Sequence, residues 1–266
     1  MNETPVNVER PLEPKKRAIV VGASSGMGAE LVRALVADGY HAAALARREA
    51  TLQELCTEIN TRASRSQPGA GQAYPYVHNV TNSDEVPALF QQIVHDLGGL
   101  DLIIYNAGVM PAVDLHEYNF EKDNSMMQVN VLGAIAWLNQ AALRFERTGQ
   151  GHIVGISSVA GDRGRIISPV YNTSKAALTT YLEALRNRLT RHGITVTTIK
   201  PGQVETAMLE HVKKRLWVIT PEAAAADMLQ AIKNKKQTAY VPRRWGPFML
   251  IIRHIPSFIF RRLSRL

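Results

Sequence analysis

The 266-residue chain is 45% hydrophobic, has one cysteine and carries a formal net charge of +8. That length and apolar content exclude a disordered chain and fit one α/β domain with a sizeable core, while a lone Cys56 excludes an internal disulfide and a cysteine-rich metal fold. The basic balance admits nucleic acid or an anionic membrane, but no nucleic-acid motif accompanies it, so nucleic acid is not expected as a partner.

Residues 1–16, "MNETPVNVERPLEPKK", are polar and proline-containing and read as a flexible tail, not as a secretory signal. With the single cysteine and no run long enough to span a bilayer, a reducing, cytoplasmic setting is expected. A short apolar run at 17–22, "RAIVVG", precedes a glycine-rich turn and a helical pattern at 29–39. A second apolar run, 41–46, leads into the helical "ATLQELCTEINTR"; the glycine, proline and serine content of 61–72 predicts a surface loop. Strand and helix then alternate: strands at 73–80, 100–108, 151–158 and 194–202, with helices at 83–98, near 121–147 and at 171–192. Continuous apolar strands alternating with helices predict an α/β fold, a doubly wound parallel sheet in a single domain over 17–242.

Gly22, Gly26 and Gly28 follow the first strand directly and open the first helix, spaced G-x-x-x-G-x-G instead of G-x-G-x-x-G. Glycines there let the chain turn tightly and bring phosphates to backbone N–H groups at a helix N-terminus. The second strand ends "LARRE". Ala46 stands where NAD sites carry an acidic residue, and Arg47 and Arg48 follow. A guanidinium suits a ribose 2′-phosphate, so NADP(H) is the expected cofactor, with Arg47 ranked ahead of Arg48.

In "YNTSK" Tyr171 and Lys175 stand one helical turn apart on one face, a pairing that an ordinary helix surface also produces. Together, the glycine turn and "YNTSK" give the chain a resemblance to the short-chain dehydrogenase/reductase family, spanning roughly residues 17–242. "YNAG" (105–108) resembles the family's N-N-A-G segment, with Tyr105 in place of the first asparagine. "MQVNVLG" places Asn130 at the active-site asparagine. "GISSVAG" supplies the serine, Ser158 in preference to Ser157, and "IKPGQVET" resembles the P-G-x-x-x-T segment. Val21 departs from a frequent threonine, and Asn79 from a frequent aspartate.

The resemblance implies an NADP-binding Rossmann domain that interconverts a carbonyl and a secondary alcohol by hydride transfer. It makes Asn130, Ser158, Tyr171 and Lys175 the catalytic set. It sets the cofactor against Gly22, Ser24, Ser25, Gly26, Met27 and Gly28, against Arg47 and Arg48, and against Asn79 and Val80. Asn106, Ala107 and Gly108 follow, with Tyr171, Lys175, Pro201, Gly202, Val204 and Thr206. Ser158 and Tyr171 would stabilise charge on the substrate oxygen, with Tyr171 as acid or base. Lys175 would lower the Tyr171 pKa and bind the nicotinamide ribose, and Asn130 would hold a water. A homodimer or homotetramer is the family expectation. The alternative is a non-catalytic NADP-binding module for redox sensing or scaffolding. No metal-ligand cluster is visible, so no metal is expected.

After Thr206 a short segment reads as a lid, and Thr220 and Pro221 open a helix. In the basic extension 243–266, Ile255, Phe258, Ile259, Leu263 and Leu266 recur at helical spacing with Arg261, Arg262 and Arg265 on other faces. An amphipathic helix in peripheral contact with an anionic membrane is one reading; a helix packed over the substrate pocket or a subunit interface is the other, and ranks ahead.

Overall fold

The computed structural model describes residues 16–66, 70–210, 212 and 215–263. Its strands are β1 (Lys16–Val21), β2 (Tyr40–Ala46), β3 (Gln72–Val77), β4 (Leu102–Tyr105), β5 (His152–Ile156), β6 (Thr195–Pro201) and β7 (Thr238–Val241). They form one parallel sheet in the order β3-β2-β1-β4-β5-β6-β7. The helices are α1 (Gly26–Ala37), α2 (Glu49–Ser66), α3 (Val86–Asp96), α4 (Phe120–Met127), α5 (Gly133–Thr148), α6 (Pro169–Leu189), α7 (Pro221–Lys233), α8 (Trp245–His254) and α9 (Ser257–Phe260). No described helix is long and apolar enough to cross a membrane.

The inner strands β1, β4 and β5 carry apolar runs because both faces are covered. In β1, Ile19 and Val21 point into a core with Phe90 of α3, Trp137 of α5 and Leu182 of α6. Ala18 and Val20 point the other way, onto Leu31 of α1, Leu52 of α2 and Met228 of α7. Strand alternation thus divides one sequence run between two cores. From β1 the chain winds outward to β3, then returns to place β4 on the other side of β1. At such a reversal the strand ends leave a crevice between their loops.

The structure moves several expected boundaries. Lys16 already belongs to β1, so the expected tail shortens to residues 1–15, which lie outside the described residues. The loop expected over 61–72 is mostly not one: α2 runs on to Ser66, and Gln72 opens β3. Helix formers up to Arg65 outweigh the scattered serines there. The helix expected near 121–147 is α4 and α5 joined through a π-helical turn, Gln128–Leu132. The extension does not form one helix: α8 ends at His254, Pro256 lacks the N–H to continue it, and α9 is a single turn. Arg265 and Leu266 lie outside the described residues.

Candidate active site

The glycine turn is pressed against the loop after β4. Gly22 has φ +88, and a Cβ on it would come within 2.5 Å of the Ala107 nitrogen. Asn106 Nδ2 donates to the Gly22 carbonyl at 2.7 Å, while its Oδ1 is buried and finds no partner among the described residues. A Cβ on Gly26 would meet the Thr206 methyl at 3.0 Å, and one on Gly28 would meet Asn106 Nδ2 at 2.6 Å. The turn therefore borders both segments, with the N-terminus of α1 facing the crevice between them. Such a cradle fits a pyrophosphate, and no larger side chain could replace these glycines without filling it.

The other residues expected to hold the cofactor are placed as follows. Both arginines are exposed, but Arg48 Nη2 donates to Ser24 Oγ at 3.1 Å and Ser25 Oγ at 3.0 Å, and among the described residues Arg47 makes no such bond to the turn. It is therefore Arg48, the second-ranked arginine, that the structure brings to the glycine turn. Met27 is half-buried against the second core. Asn79 Oδ1 accepts from the Thr81 nitrogen at 3.3 Å, and Val80 is buried beside it. Gly202 donates to the Val241 carbonyl at 2.8 Å, and Val204 bridges to Ile219.

The residues expected to form the catalytic set converge where β4, β5 and α6 meet. Pro169 starts α6, and Asn172 Nδ2 fastens its first turn by donating to the Ile167 carbonyl at 3.0 Å. This helix carries Tyr171 and Lys175, both buried. The adjacent serines divide sharply. Ser157 Oγ donates to the Lys175 carbonyl at 2.9 Å and sits 2.8 Å from Thr179 Oγ1, so it ties the strand to α6. Ser158 Oγ accepts from the Ala160 nitrogen at 3.1 Å and donates to the Pro201 carbonyl at 3.4 Å, close enough to Tyr171 for its hydroxyl to pull the tyrosine's pKa down. Lys175 Nζ donates to the Ile156 carbonyl at 3.0 Å and lies 5.9 Å from the Tyr171 ring centroid. A Cβ on Gly108 would stand 3.3 Å from Lys175 Nζ and 3.4 Å from Asn130 Oδ1, so these three positions meet.

Asn130 lies in the π-turn and is fully buried. Its Oδ1 accepts from the Val109 nitrogen at 2.8 Å, while its Nδ2 donates to the Val109 carbonyl and to Ser174 Oγ, both at 3.0 Å. It thereby links the loop after β4 to α6. The turn also contacts Tyr105, whose fully buried hydroxyl donates to the Val129 carbonyl at 2.5 Å. A Cβ on Gly133 would come 2.6 Å from that hydroxyl.

The electrostatics correct one expectation. Burial pushes the Tyr171 pKa up from 10.0, against the opposing pull of the Ser158 hydrogen bond and the Arg165 charge. Lys175 does not lower it here; its own pKa is pushed down to about 8 by burial. Desolvation of both groups outweighs their proximity.

Around Tyr171 the wall is apolar, formed by Met126, Val109, Met110, Ala160, Val170 and Met208. The Tyr171 hydroxyl points to Met208 Sδ at 3.9 Å. The sequence reading did not single out these side chains, because isolated methionines and valines carry no motif. The lid region holds a short 3-10 turn, Ala207–Leu209, followed by Trp217, which packs edge-on against Trp245 and Phe248.

The short chain dehydrogenase family model matches residues 16–217. The chain belongs to this family. This short-chain dehydrogenase is 27% identical over 252 residues to an uncharacterized oxidoreductase of Mycobacterium tuberculosis, covering 94% of this chain and 98% of that one. It is 28% identical to the ketoacyl reductase HetN of a Nostoc species, covering 83% of this chain and 76% of that one. Among solved structures it is similar to a variant of actinorhodin polyketide ketoreductase with NADPH, at a TM-score of 0.72 and 26% identity, covering 82% of this chain and 90% of that one. As a short-chain dehydrogenase, the chain is an oxidoreductase that uses a nicotinamide cofactor on a small-molecule substrate.

Proposed function

We propose that this short-chain dehydrogenase is an NADP(H)-dependent reductase of a hydrophobic carbonyl, working in reverse on the secondary alcohol. The observation that carries this reading is the buried Tyr171 hydroxyl beside Ser158 in an apolar wall, with Lys175 one turn deeper at Gly108. The NADPH associated with the actinorhodin ketoreductase, and the ketoacyl reductase activity in HetN's name, support the cofactor and the substrate class.

The cradle of Gly22, Ser24, Ser25, Gly26, Met27 and Gly28 would hold the pyrophosphate, and Arg48 with Arg47 the 2′-phosphate. Asn79, Val80, Asn106, Ala107, Gly108, Pro201, Gly202, Val204 and Thr206 would complete the cofactor site. Bound NADPH supplies the hydride. Ser158 and Tyr171 orient the carbonyl oxygen and stabilise the negative charge that grows on it. Tyr171 gives that oxygen its proton, and takes one back in alcohol oxidation. Lys175, buried with its Nζ at Gly108, would hold the ribose of the bound nicotinamide. Asn130 keeps the loop carrying Gly108 in register with α6. The apolar wall excludes water from the reacting oxygen. A homodimer or homotetramer in a cytoplasmic setting completes the proposal.

The test is NADPH oxidation by pure protein against a panel of apolar ketones. Tyr171→Phe is expected to lower kcat by at least ~100-fold while leaving NADPH affinity unchanged. Undiminished turnover in that variant would overturn the mechanism. Tight NADPH binding with no turnover of any carbonyl would favour the non-catalytic reading.

A further inference from the structure

The C-terminal extension is apolar on both sides of one helix. Trp245, Met249 and Ile252 of α8 are buried, facing Val159 and the rings of Trp217 and Phe248. At about 100° per residue, Leu250 and Ile251 fall on the opposite side. They are 59% and 66% exposed. Past the bend at Pro256, Phe258, Ile259 and Leu263 are exposed as well. Inner packing accounts for the first stripe and leaves the second without a partner among the described residues.

That second surface is held in place. Arg163, from the loop after Ser158, donates to the Arg253 carbonyl at 3.1 Å and the Ile255 carbonyl at 3.0 Å, and its guanidinium lies 4.6 Å from the Phe260 ring centroid. One side chain thus closes the end of α8 and seats α9. Five apolar side chains are presented on a fixed support.

Charge says what they meet. Residues 243–266 contain six arginines and no aspartate or glutamate. Among the described residues, no carboxylate pairs with Arg243, Arg244, Arg253, Arg261 or Arg262. A second copy is a poor occupant, because a two-fold contact would set the same unpaired arginines face to face with no acid on the patch to oppose them. A partner with an apolar interior and an anionic rim satisfies both features, and a bilayer containing anionic lipid has that layering.

We infer that α8, α9 and their arginines form a docking surface for an anionic lipid bilayer. Leu250, Ile251 and Phe258 enter the acyl boundary while the arginines meet the phosphates, and the chain lies on the membrane without crossing it. The inner face of α8 packs on Val159, next to Ser158, so docking brings the substrate end close to the lipid. A carbonyl dissolved in the bilayer then has a short path to Tyr171; this last point rests on the reductase reading, and the docking surface does not.

The experiment uses the full chain with vesicles of phosphatidylcholine alone, and with vesicles of about two parts phosphatidylcholine to one part phosphatidylglycerol. Co-sedimentation is expected with the anionic vesicles only and is expected to weaken as salt rises. The double variants Leu250→Glu/Ile251→Glu and Arg261→Glu/Arg262→Glu should each lower the bound fraction about tenfold or more, while Arg188→Glu, on α6, leaves it unchanged. The Arg261/Arg262 variant alters only exposed side chains, so it carries the test if the glutamates on α8 unfold the helix. No binding to anionic vesicles, or equal binding by every variant, would overturn the inference. So would a concentration-dependent dimer in sedimentation velocity that the Leu250/Ile251 variant dissolves, since a second copy would then cover the face. Turnover enters none of these readouts, so failure of the docking surface is distinguishable from failure of the reductase reading.

Discussion

Ionising Tyr171 means placing a phenolate in a buried apolar site, and neither its bond to Ser158 nor the charge of Arg165 compensates fully. The group therefore holds its proton through neutral pH. For carbonyl reduction the protonated form is the active one, so that rate should stay flat through neutrality. Alcohol oxidation needs the deprotonated form and should climb with pH by up to about tenfold per unit, continuing into the alkaline range. A pH–rate profile in both directions checks this; an oxidation rate that levels off near neutrality would contradict it. Tyr105 acts through another residue. Its hydroxyl holds the Val129 carbonyl in the turn that carries Asn130. Tyr105→Phe keeps the ring and removes that bond, at a cost of about 1 kcal/mol in stability. If the bond positions Asn130, kcat should fall while the KM for NADPH stays constant, and steady-state kinetics beside a denaturant titration separate the two effects.

Among the elements, those that span a core were the legible ones. Six strands stand out as apolar runs, most sharply the inner ones whose two faces are buried, as Ala18, Ile19, Val20 and Val21 show. The seventh, β7, escaped notice: it has four residues on the sheet edge, and Thr238 is exposed. The π-turn was equally invisible, since a shift in backbone hydrogen-bond register leaves no trace in side-chain periodicity. At the site, the family resemblance named Tyr171, Lys175, Asn130 and Ser158, and the structure brings them together. The resemblance could not show the apolar wall, the reach of Arg48 to Ser24 and Ser25, or the direction of the tyrosine's pKa, all of which depend on burial and tertiary contact. Arg163 belongs to this scale too, because it ends α8 from a distant loop. Arg163→Ala should destabilise the extension by about 1–2 kcal/mol, given partial exposure of its bonds. Hydrogen exchange should show protection lost in α8 and retained in β1 and β4.

For the whole molecule, the crevice between β1 and β4 separates the two halves of the sheet, and the cofactor cradle uses loops from both. Anything bound there holds the halves together and must raise the melting temperature. At a hundredfold excess over Kd, NADPH should stabilise the chain by about 2.7 kcal/mol, or roughly 5–10 °C for a chain of this size. NADH at the same concentration should give a smaller shift. Arg48→Ala should erase most of the difference between the two, and a thermal melt with each nucleotide measures it. Equal shifts in the parent protein would remove the case for a 2′-phosphate site.

The contact between Tyr105 and Gly133 also constrains history. A Cβ at position 133 would stand 2.6 Å from the Tyr105 hydroxyl, so the tyrosine is compatible with this backbone only when glycine is already present. With tyrosine at 105, position 133 has no room for a side chain. Descendants that keep Tyr105 should therefore all keep Gly133, and a smaller residue at 105 relieves only part of the constraint, since the Val80 carbonyl would still stand 3.0 Å from the added Cβ. A descendant with tyrosine at 105 and a larger residue at 133 would have to carry a repositioned turn around Asn130.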